Sequence, residues 1–338
     1  MSILLTIIVI GVIATIHELG HFWMAKREGI LVRELSLGIG PKIFQTRRGQ
    51  TSYSLRVFPF FAYVQMGGML PEEQEMENGY LSKRPAQKAR VLVAGSFMNV
   101  VLAVVIFIVL FMGIGVFSDA PDIGAVYDGS PAMEAGLQAG DRVVAIDGRS
   151  IDSWNDMIGV IGESAEQPLT FSIQRGDQAL ELDVTPQRDS ATDRALIGIE
   201  RSRERLGPFQ AIAQGVWQSI AFVGIMISAL AMMISGRAPA ELSGPVGIAG
   251  MVGEASSAGL AGLLFFTAIL SLNLAILNLL PFPALDGGKL VLVAIEKIRG
   301  KRLDTEKEVM INVVGFAILI GIMLFATYND ILNLFAGR

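Results

Sequence analysis

The sequence predicts a polytopic α-helical membrane protein with about four transmembrane helices and a soluble insert. Of its 338 residues, 52% are hydrophobic and only 17% are charged, which is too apolar for an ordinary soluble enzyme. Four segments are long and apolar enough to span a bilayer, at about 2–25, 91–117, 259–280 and 310–328. The stretch between the second and third spans is polar, and its short apolar runs alternate with turns.

The composition also limits the metal chemistry and the partners. The chain contains no cysteine, so neither a disulfide framework nor a thiolate zinc site is possible. Any metal would be held by His, Asp, Glu, Asn or water. The hydropathy makes a lipid bilayer the expected surrounding, and we expect no nucleic-acid partner.

The first span carries the motif that indicates chemistry, His17-Glu18-Leu19-Gly20-His21, which contains both histidines of the chain. Residues four apart lie on one face of a helix, so both imidazoles can bind one metal ion. Glu18 is a candidate general base for a metal-bound water. A short motif also arises by chance or as a structural helix cap. Ionisable residues inside a span are costly and usually functional, which favours the metal site.

The distribution of charge predicts the sidedness of the chain. Residues 26–90 hold 11 Lys and Arg against six Asp and Glu, and 287–307 is also basic. Residues 118–210 hold 17 Asp and Glu against eight Arg and no Lys. By the positive-inside rule, the basic segments lie in the cytoplasm, whereas the N-terminus and the insert lie outside. No charge precedes Glu18, so the first span is expected to be an uncleaved anchor.

A fifth apolar stretch, 211–235, decides how the spans are counted. If it crossed the bilayer, the third span would run outward and Asp286 would lie on the side opposite the histidines. We therefore expect an amphipathic or re-entrant helix at the outer surface, with Trp217 at the interface. The alternative is a fifth span and a structural Asp286. We therefore expect four regions. The first two spans and the loop between them occupy 1–117, and the insert occupies 118–200. The outer-surface region follows at 201–258, and the last two spans occupy 259–338.

The insert has the strand order and length of a small α+β domain. Its strand-like runs are Ile123–Tyr127, Arg142–Ile146, Leu169–Gln174 and Ala179–Val184, and Ser130 can cap a short helix. The pattern resembles a PDZ domain. The resemblance implies that a peptide C-terminus binds along an exposed edge strand, here 123–127. A domain that acts only as a spacer or steric filter is an equal alternative.

The third span ends in a segment that cannot remain helical. Pro281 and Pro283 remove backbone donors and force extended backbone, which membrane depth tolerates only beside protein or a wet cavity. An extended stretch that carries Asn278 and Asp286 is suited to line a site. Asp286 would be a third metal ligand and would leave a fourth position to water. The alternative is a turn, since Asp-Gly is a common turn pair.

These features together resemble the site-2 protease family of intramembrane zinc metalloproteases, in particular the bacterial regulator of sigma-E protease group. The resemblance covers nearly the whole chain. It rests on the histidine motif, the insert and two further patterns, which are Asn278…Pro281…Pro283…Leu285-Asp286-Gly287 and Ser243-Gly244-Pro245.

The resemblance assigns roles to the polar residues. It implies that His17, His21 and Asp286 bind zinc and that Glu18 activates the water. Asn278 would bind the substrate or polarise the scissile carbonyl. Localisation in the bacterial cytoplasmic (inner) membrane is also implied, with the active site near the cytoplasmic side.

Further substrate contacts follow from the same resemblance. Asn99 matches an asparagine of a second-span pattern, although Ser96 stands where the family has proline. The segment 61–67 resembles a membrane-associated β-hairpin that pairs with unwound substrate, through Tyr63, Val64, Gln65 and Met66. Better-known members carry two PDZ domains, and this chain has room for one.

The expected function is intramembrane zinc-dependent proteolysis of single-span membrane proteins. Anti-sigma factors and signal-peptide remnants are the substrate classes that the family implies. A catalytically inactive membrane scaffold that uses its PDZ domain is the alternative, and a metal transporter is disfavoured because two histidines in one place do not form a path.

Overall fold

The structure is a computed structural model that describes residues 1–69, 71–73, 75–189, 194–238, 243–302 and 304–335. Clustering of contacts separates two compact units. The membrane unit comprises residues 1–110 and 212–338, and the insert unit comprises residues 111–211. One continuous segment of chain therefore builds the whole insert unit.

The described part of the chain contains nine α-helices. They are α1 Ser2–Arg27, α2 Pro85–Gly113, α3 Pro131–Glu134, α4 Trp154–Glu163, α5 Pro208–Ile234, α6 Pro245–Ser257, α7 Gly259–Asn278, α8 Asp286–Arg299 and α9 Thr305–Phe335. Five of these helices (α1, α2, α5, α7 and α9) are long and apolar enough to cross a membrane. The prediction of a polytopic α-helical membrane protein is confirmed.

Twelve strands accompany the helices in the described residues. They are β1 Val32–Arg48, β2 Thr51–Met66, β3 Val116–Phe117, β4 Ile123–Val126, β5 Arg142–Ile146, β6 Arg149–Ser150, β7 Leu169–Arg175, β8 Gln178–Val184, β9 Gln187–Arg188, β10 Ala195–Leu196, β11 Ile199–Arg201 and β12 Arg203–Glu204. Only β1 and β2 belong to the membrane unit.

Helix α5 covers the stretch that we expect at the outer surface. It is one uninterrupted helix of 27 residues, about 40 Å long at 1.5 Å per residue, which is sufficient to span a bilayer. The ring of Phe222 stacks on Phe107 with centroids 6.0 Å apart, and Gly215 approaches Ile108. Both contacts lie within about one turn of α2, which favours a helix that crosses α2 at an angle. The interfacial placement of α5 stays a prediction.

The segment between α1 and α2 forms a β-sheet. Strands β1 and β2 are joined by a tight turn at Gly49, whose φ is +61°. Ser36 pairs with Tyr63 and also with Ser54, so the first half of β1 lies between two stretches of β2. The β-hairpin is confirmed, but residues 61–66 belong to its second strand and form an edge of the sheet rather than a loop.

The sheet is held against α1 by an apolar cluster. Val32 and Leu35 of β1 are buried together with Phe22 and Ala25 of α1 and with Val91 of α2. Val32 and Leu35 lie in the first part of β1, where Glu34 and Ser36 are also buried, so this end of the strand packs against the helices. The cluster fixes the position of the edge at 61–66 relative to α1.

The chain between α7 and α9 differs from the expectation. Asn278 is the last residue of α7, and Asp286 is the first residue of α8. The expected extended stretch that carries both residues is therefore wrong, because they lie in helix ends on either side of the irregular segment 279–285. Pro281 and Pro283 lie inside that segment, where they interrupt the helix as predicted. The basic segment that starts at 287 begins as the helix α8, whose Val293 is buried, rather than as a loop.

The insert unit has its own apolar core. Strands β6, β5, β7 and β8 form an antiparallel sheet in that order, and α4 packs on it through Trp154, Met157 and Ile161. Ser130 caps α3 by accepting the N–H of Met133 at 3.3 Å, as predicted. The order of strands and helices is that of a PDZ domain, and this prediction is confirmed.

The predicted peptide-binding strand of the insert unit is paired along one side. Val126 and Ala125 of β4 pair with Ile199 and Glu200 of β11, and Asp122 just before β4 bridges to Arg142. Strands β4 and β11 form a two-stranded sheet in the described residues, and peptide binding along 123–127 stays a prediction. The pairing joins segments more than 70 residues apart, which local sequence patterns do not report.

Candidate metal centre

Three ligand-type atoms converge where α1 meets the first residue of α8. The Nε2 atoms of His17 and His21 are 3.0 Å apart, and each lies 3.1 Å from Oδ2 of Asp286. The histidines are 9% and 5% exposed, so bulk water is largely excluded. The helical spacing of the histidines and the turn after α7 thus bring together the three residues that the sequence predicts as ligands.

Glu18 lies beside this group and contacts the sheet. Its Oε2 accepts a hydrogen bond from the N–H of Val64 at 2.9 Å. One carboxylate oxygen of Glu18 and one ring nitrogen of each histidine lie within 4.8 Å of one another. A carboxylate held at this distance by a backbone amide is suited to accept a proton from a water molecule at the histidines.

Helix α2 forms the wall behind the imidazoles. A Cβ atom added to Gly95 would lie 2.5 Å from Nε2 of His21 and 2.7 Å from Nε2 of His17. A Cβ atom on Gly20 would lie 2.7 Å from the carbonyl carbon of Ala94. Real side chains do not approach so closely, so glycine is required where α1 and α2 meet. Gly95 therefore leaves the α2 side of the ring nitrogens free of a side chain.

A hydrogen bond at the far ring nitrogen sets the orientation of His21. Nδ1 of His21 is 2.8 Å from the carbonyl oxygen of Val91. Because a carbonyl only accepts, Nδ1 carries the proton and the lone pair of Nε2 is directed towards Asp286. This is the arrangement in which metal-binding histidines are commonly held.

Asn99 is close to the other histidine. Its amide nitrogen lies 3.5 Å from Nδ1 of His17, and the residue is 1% exposed. Its Oδ1 is buried without a hydrogen-bond partner in the described part of the chain. A half-turn of the amide would direct Oδ1 to a protonated Nδ1, which is the tautomer that leaves Nε2 free. The position suits orientation of His17, and direct contact with substrate stays a prediction.

The other predicted substrate residues differ in their surroundings. Asn278 is half-buried at the end of α7. The hydroxyl of Tyr63 accepts a hydrogen bond from Arg56 at 2.7 Å, whereas Gln65 is exposed and Met66 packs on the apolar cluster. Val64 is the member of this group that contacts the catalytic candidate, through the bond to Glu18 described above.

A buried ion pair ties α8 to α2. Lys88 is 2% exposed, and its Nζ lies 3.1 Å and 2.9 Å from the two carboxylate oxygens of Glu296. The pair fastens the helix that begins with Asp286 to the helix that carries Gly95. Lys88 is one of the basic residues of 26–90 that the charge pattern predicts to lie in the cytoplasm. The sequence around Lys88 does not indicate that the residue is buried, because its burial depends on Glu296, which lies 208 residues further along the chain.

The donor set fits zinc. Tetrahedral zinc with bonds of about 2.0–2.1 Å places neighbouring ligand atoms about 3.3 Å apart, close to the separations of 3.0 and 3.1 Å between the three atoms here. Two imidazoles and one carboxylate, with a further position open, are typical of catalytic zinc. The absence of a side chain on Gly95 leaves room beside the nitrogens.

Fold and centre define a membrane-embedded metalloprotease. The model of peptidase family M50 matches residues 5–322, so the chain belongs to this family. The prediction of a site-2 type metalloprotease is confirmed. Family membership rests on nearly the whole chain, including both helices that carry the histidines and Asp286.

Two curated relatives cover the chain almost completely. The zinc metalloprotease RasP of Geobacillus kaustophilus is 31% identical over 99% of this chain and 98% of its own length. The regulator of sigma-W protease RasP of Bacillus subtilis is 30% identical over 99% of both. Among solved structures, the PDZ domain of an SdrC-like protein from Listeria monocytogenes is 26% identical, with a TM-score of 0.23, over 25% of this chain and 90% of that one.

Proposed function

We propose that the protein is an intramembrane zinc endopeptidase that cleaves transmembrane segments of single-span membrane proteins. The observation that carries the proposal is the triangle of His17 Nε2, His21 Nε2 and Asp286 Oδ2, with Glu18 beside it. His17, His21 and Asp286 would hold zinc. The metal supplies a lowered pKa for bound water and stabilises negative charge on the scissile carbonyl.

Glu18 moves the proton in this mechanism. Its carboxylate accepts a proton from the attacking water and passes it to the leaving amine nitrogen as the peptide bond breaks. The N–H of Val64 holds the carboxylate in place. The carbonyl of Val91 and the amide of Asn99 keep the two imidazoles in the orientation that binding requires.

The edge of the sheet at 61–66 is suited to bind unwound substrate. One side of this strand pairs with β1, and within the described residues no strand pairs with the other side. The N–H of Val64 points away from β1 to Glu18, so the open side borders the metal centre. Unwound backbone is costly in lipid, and strand addition would satisfy its amides. Asn278 would then bind the substrate near the scissile carbonyl.

Charge supports one orientation of the protein in the membrane. The basic segment 26–90 flanks the first span directly, which favours a position of the C-terminal end of α1 and its motif near the cytoplasm. The N-terminus and the acidic insert unit would be extracytoplasmic. The inner membrane of a bacterium is the proposed location.

The name of the Bacillus subtilis relative connects that protein with a sigma factor. This favours a membrane-anchored regulator of a sigma factor as substrate over signal-peptide remnants. A pair of tagged reporters, one with each type of segment, tests the preference. Faster cleavage of the signal-peptide reporter would reverse the assignment.

The proposed function is tested by cleavage of a tagged single-span reporter with full-length protein in detergent. Glu18→Gln should lower the rate by about 10²–10⁴-fold, the usual contribution of a general base, while one zinc per chain is retained. Glu254→Gln, an exposed acid on α6, is the matched control and should cleave normally. Undiminished turnover by Glu18→Gln would refute the role of this residue.

A further inference from the structure

We propose that Asn312 and Gly315 of α9 are positioning residues that set Asp286 in the metal centre. The inference rests on the proposed function, because it concerns the third ligand of that site. It starts from Ala284, whose φ is +73°. Residues with a Cβ atom rarely adopt this left-handed conformation, since the Cβ atom crowds the following carbonyl. Something outside the loop must hold Ala284 there.

Asn312 provides that constraint. The backbone N–H of Ala284 donates a hydrogen bond to Oδ1 of Asn312 at 3.1 Å. Asn312 is half-buried, whereas its neighbours Ile311 and Val313 are exposed. The polar amide in the otherwise apolar stretch 309–326 of this helix is therefore turned towards the loop that contains Ala284.

Gly315 allows the same loop to pack closely on α9. A Cβ atom on Gly315 would lie 2.6 Å from the carbonyl carbon of Pro283, so the loop packs directly on the helix backbone. Residues three apart share one face of a helix, and Asn312 and Gly315 are three apart. One face of α9 thus contacts two consecutive loop residues, Pro283 and Ala284.

The contact is transmitted to the ligand through a short stretch of chain. After Ala284 only Leu285 precedes Asp286, and Leu285 is extended, with φ −88° and ψ 162°. Gly287 and Gly288 then pack against the carbonyl groups of Leu280 and Phe282. With the loop fixed on both sides, the direction of the Asp286 side chain depends on the turn at Ala284.

A purely anchoring helix would not need these features. The residues around the contact, such as Val314 and Phe316, are more than half exposed and suited to lipid. A leucine would serve equally well at 312 if α9 only filled the bilayer. Ala284 has a strained backbone, Asn312 accepts a hydrogen bond from it, and Gly315 packs directly on the loop. Together these features indicate a positioning role.

Two substitutions remove the proposed contacts. Asn312→Leu removes the acceptor, and Gly315→Ala pushes the loop away from the helix. Outer residues that orient metal ligands typically contribute 10–100-fold to affinity or activity. We therefore expect both variants to bind zinc about 10–100-fold more weakly and to cleave more slowly at sub-saturating zinc.

A second substitution separates positioning from general damage. Glycine adopts a positive φ without a Cβ penalty. Ala284→Gly in the Asn312→Leu background should therefore recover most of the lost zinc affinity, and Ala284→Gly alone should behave like the unaltered protein. General disruption of α9 would not be repaired by removing one methyl group from a loop.

The experiment is a zinc competition titration against a chromophoric chelator, with full-length protein in detergent and reporter cleavage in parallel. Asn329→Leu is the matched control, because Asn329 is an exposed asparagine on the same helix, and it should bind zinc normally. Normal zinc affinity in both Asn312→Leu and Gly315→Ala, or no recovery with Ala284→Gly, overturns the inference alone. Failure of the unaltered protein to bind zinc overturns the proposed function as well.

Discussion

Two aspartates, one in each unit of the molecule, are withdrawn from solvent in different ways. Asp141 of the insert unit is fully buried, and both of its oxygens accept hydrogen bonds from Arg175 at 2.7 and 2.8 Å. Asp286 of the membrane unit is 12% exposed, and its neighbours are two imidazoles at 3.1 Å. An arginine is always charged, whereas an imidazole also serves as a neutral metal ligand.

This difference is the one expected between a structural carboxylate and the proposed metal ligand. The Asp141 pair is complete, because the N–H of Gln138 also donates to the carboxylate and Arg175 donates to the carbonyl of Gly136. The group around Asp286 combines three electron-pair donors in one small space. Such a group is best satisfied by a metal ion shared among them.

The largest expected effect is on the membrane unit. Asp286→Asn replaces a charged ligand with a neutral one, and we expect zinc affinity to fall by at least about 100-fold, as for loss of a metal ligand or its orienting partner. Reporter cleavage should be lost, while the insert unit melts at its usual temperature. Zinc content by atomic absorption after dialysis is the measurement. Full zinc retention would make Asp286 a structural residue like Asp141.

The ion pair between Lys88 and Glu296 tests whether the distinction also holds within the membrane unit. It is structural by the same criterion, since the carboxylate is paired with an ammonium group, which is not a metal ligand of the kind that surrounds Asp286. Lys88→Met leaves a buried carboxylate unpaired and should destabilise the protein by about 3 kcal/mol. Thermal unfolding in detergent measures the loss, and zinc stoichiometry should stay at one per chain. Lys289→Met, on the same helix as Glu296, is the comparison variant, and an equal loss there would contradict the assignment.

The same substitution logic in the insert unit predicts a smaller effect. Arg175→Met removes the partner of Asp141, but the Arg175 side chain is 30% exposed, so we expect about 2 kcal/mol, below the range for fully buried pairs. Hydrogen exchange of β5 and β7 in the full-length protein reports this change. Reporter cleavage should continue, because the metal centre is unaffected. Loss of zinc on this substitution would break the comparison.

The smallest effect is a pH dependence confined to the insert unit. Burial opposes ionisation of Asp141, but the hydrogen bonds from Arg175 and Gln138 outweigh it and hold the pKa of this carboxyl below its usual value. The associated stability is present above the unfolded-state pKa of about 3.9 and is lost as pH falls through the lower folded-state pKa. Unfolding of the insert unit between pH 6 and pH 3 measures it. An Asp141→Asn variant should show a flatter profile, and an identical profile would contradict the assignment.

Local sequence patterns predicted most of the membrane unit and the insert core. Long apolar runs predicted the helices, and the spacing of His17 and His21 placed both imidazoles on one face. The strands β5 and β7 were predicted within one residue of their observed ends. In each case the signal lies within a few residues, because helix and strand periodicities are local properties.

The features that the sequence did not predict depend on distant partners. Gly95 is one glycine among 37, and only the packing of α2 on α1 shows that it frames the imidazoles. The pairing of β4 with β11 and the contact of Asn312 with Ala284 likewise join remote segments. Helix α8 was missed because its basic residues resemble a cytoplasmic loop, although Val293 and Leu290 face an apolar cluster.

The central claim is that His17, His21 and Asp286 hold one catalytic zinc ion. Zinc K-edge X-ray absorption of the full-length protein tests it most directly. We predict one zinc per chain with two imidazole ligands, and with its remaining ligands oxygen atoms at about 2.0–2.2 Å. Glu18→Gln should give the same spectrum. Asp286→Asn should lose one oxygen ligand or the metal itself. Bound zinc without imidazole scattering, or a spectrum unchanged by Asp286→Asn, would contradict the claim.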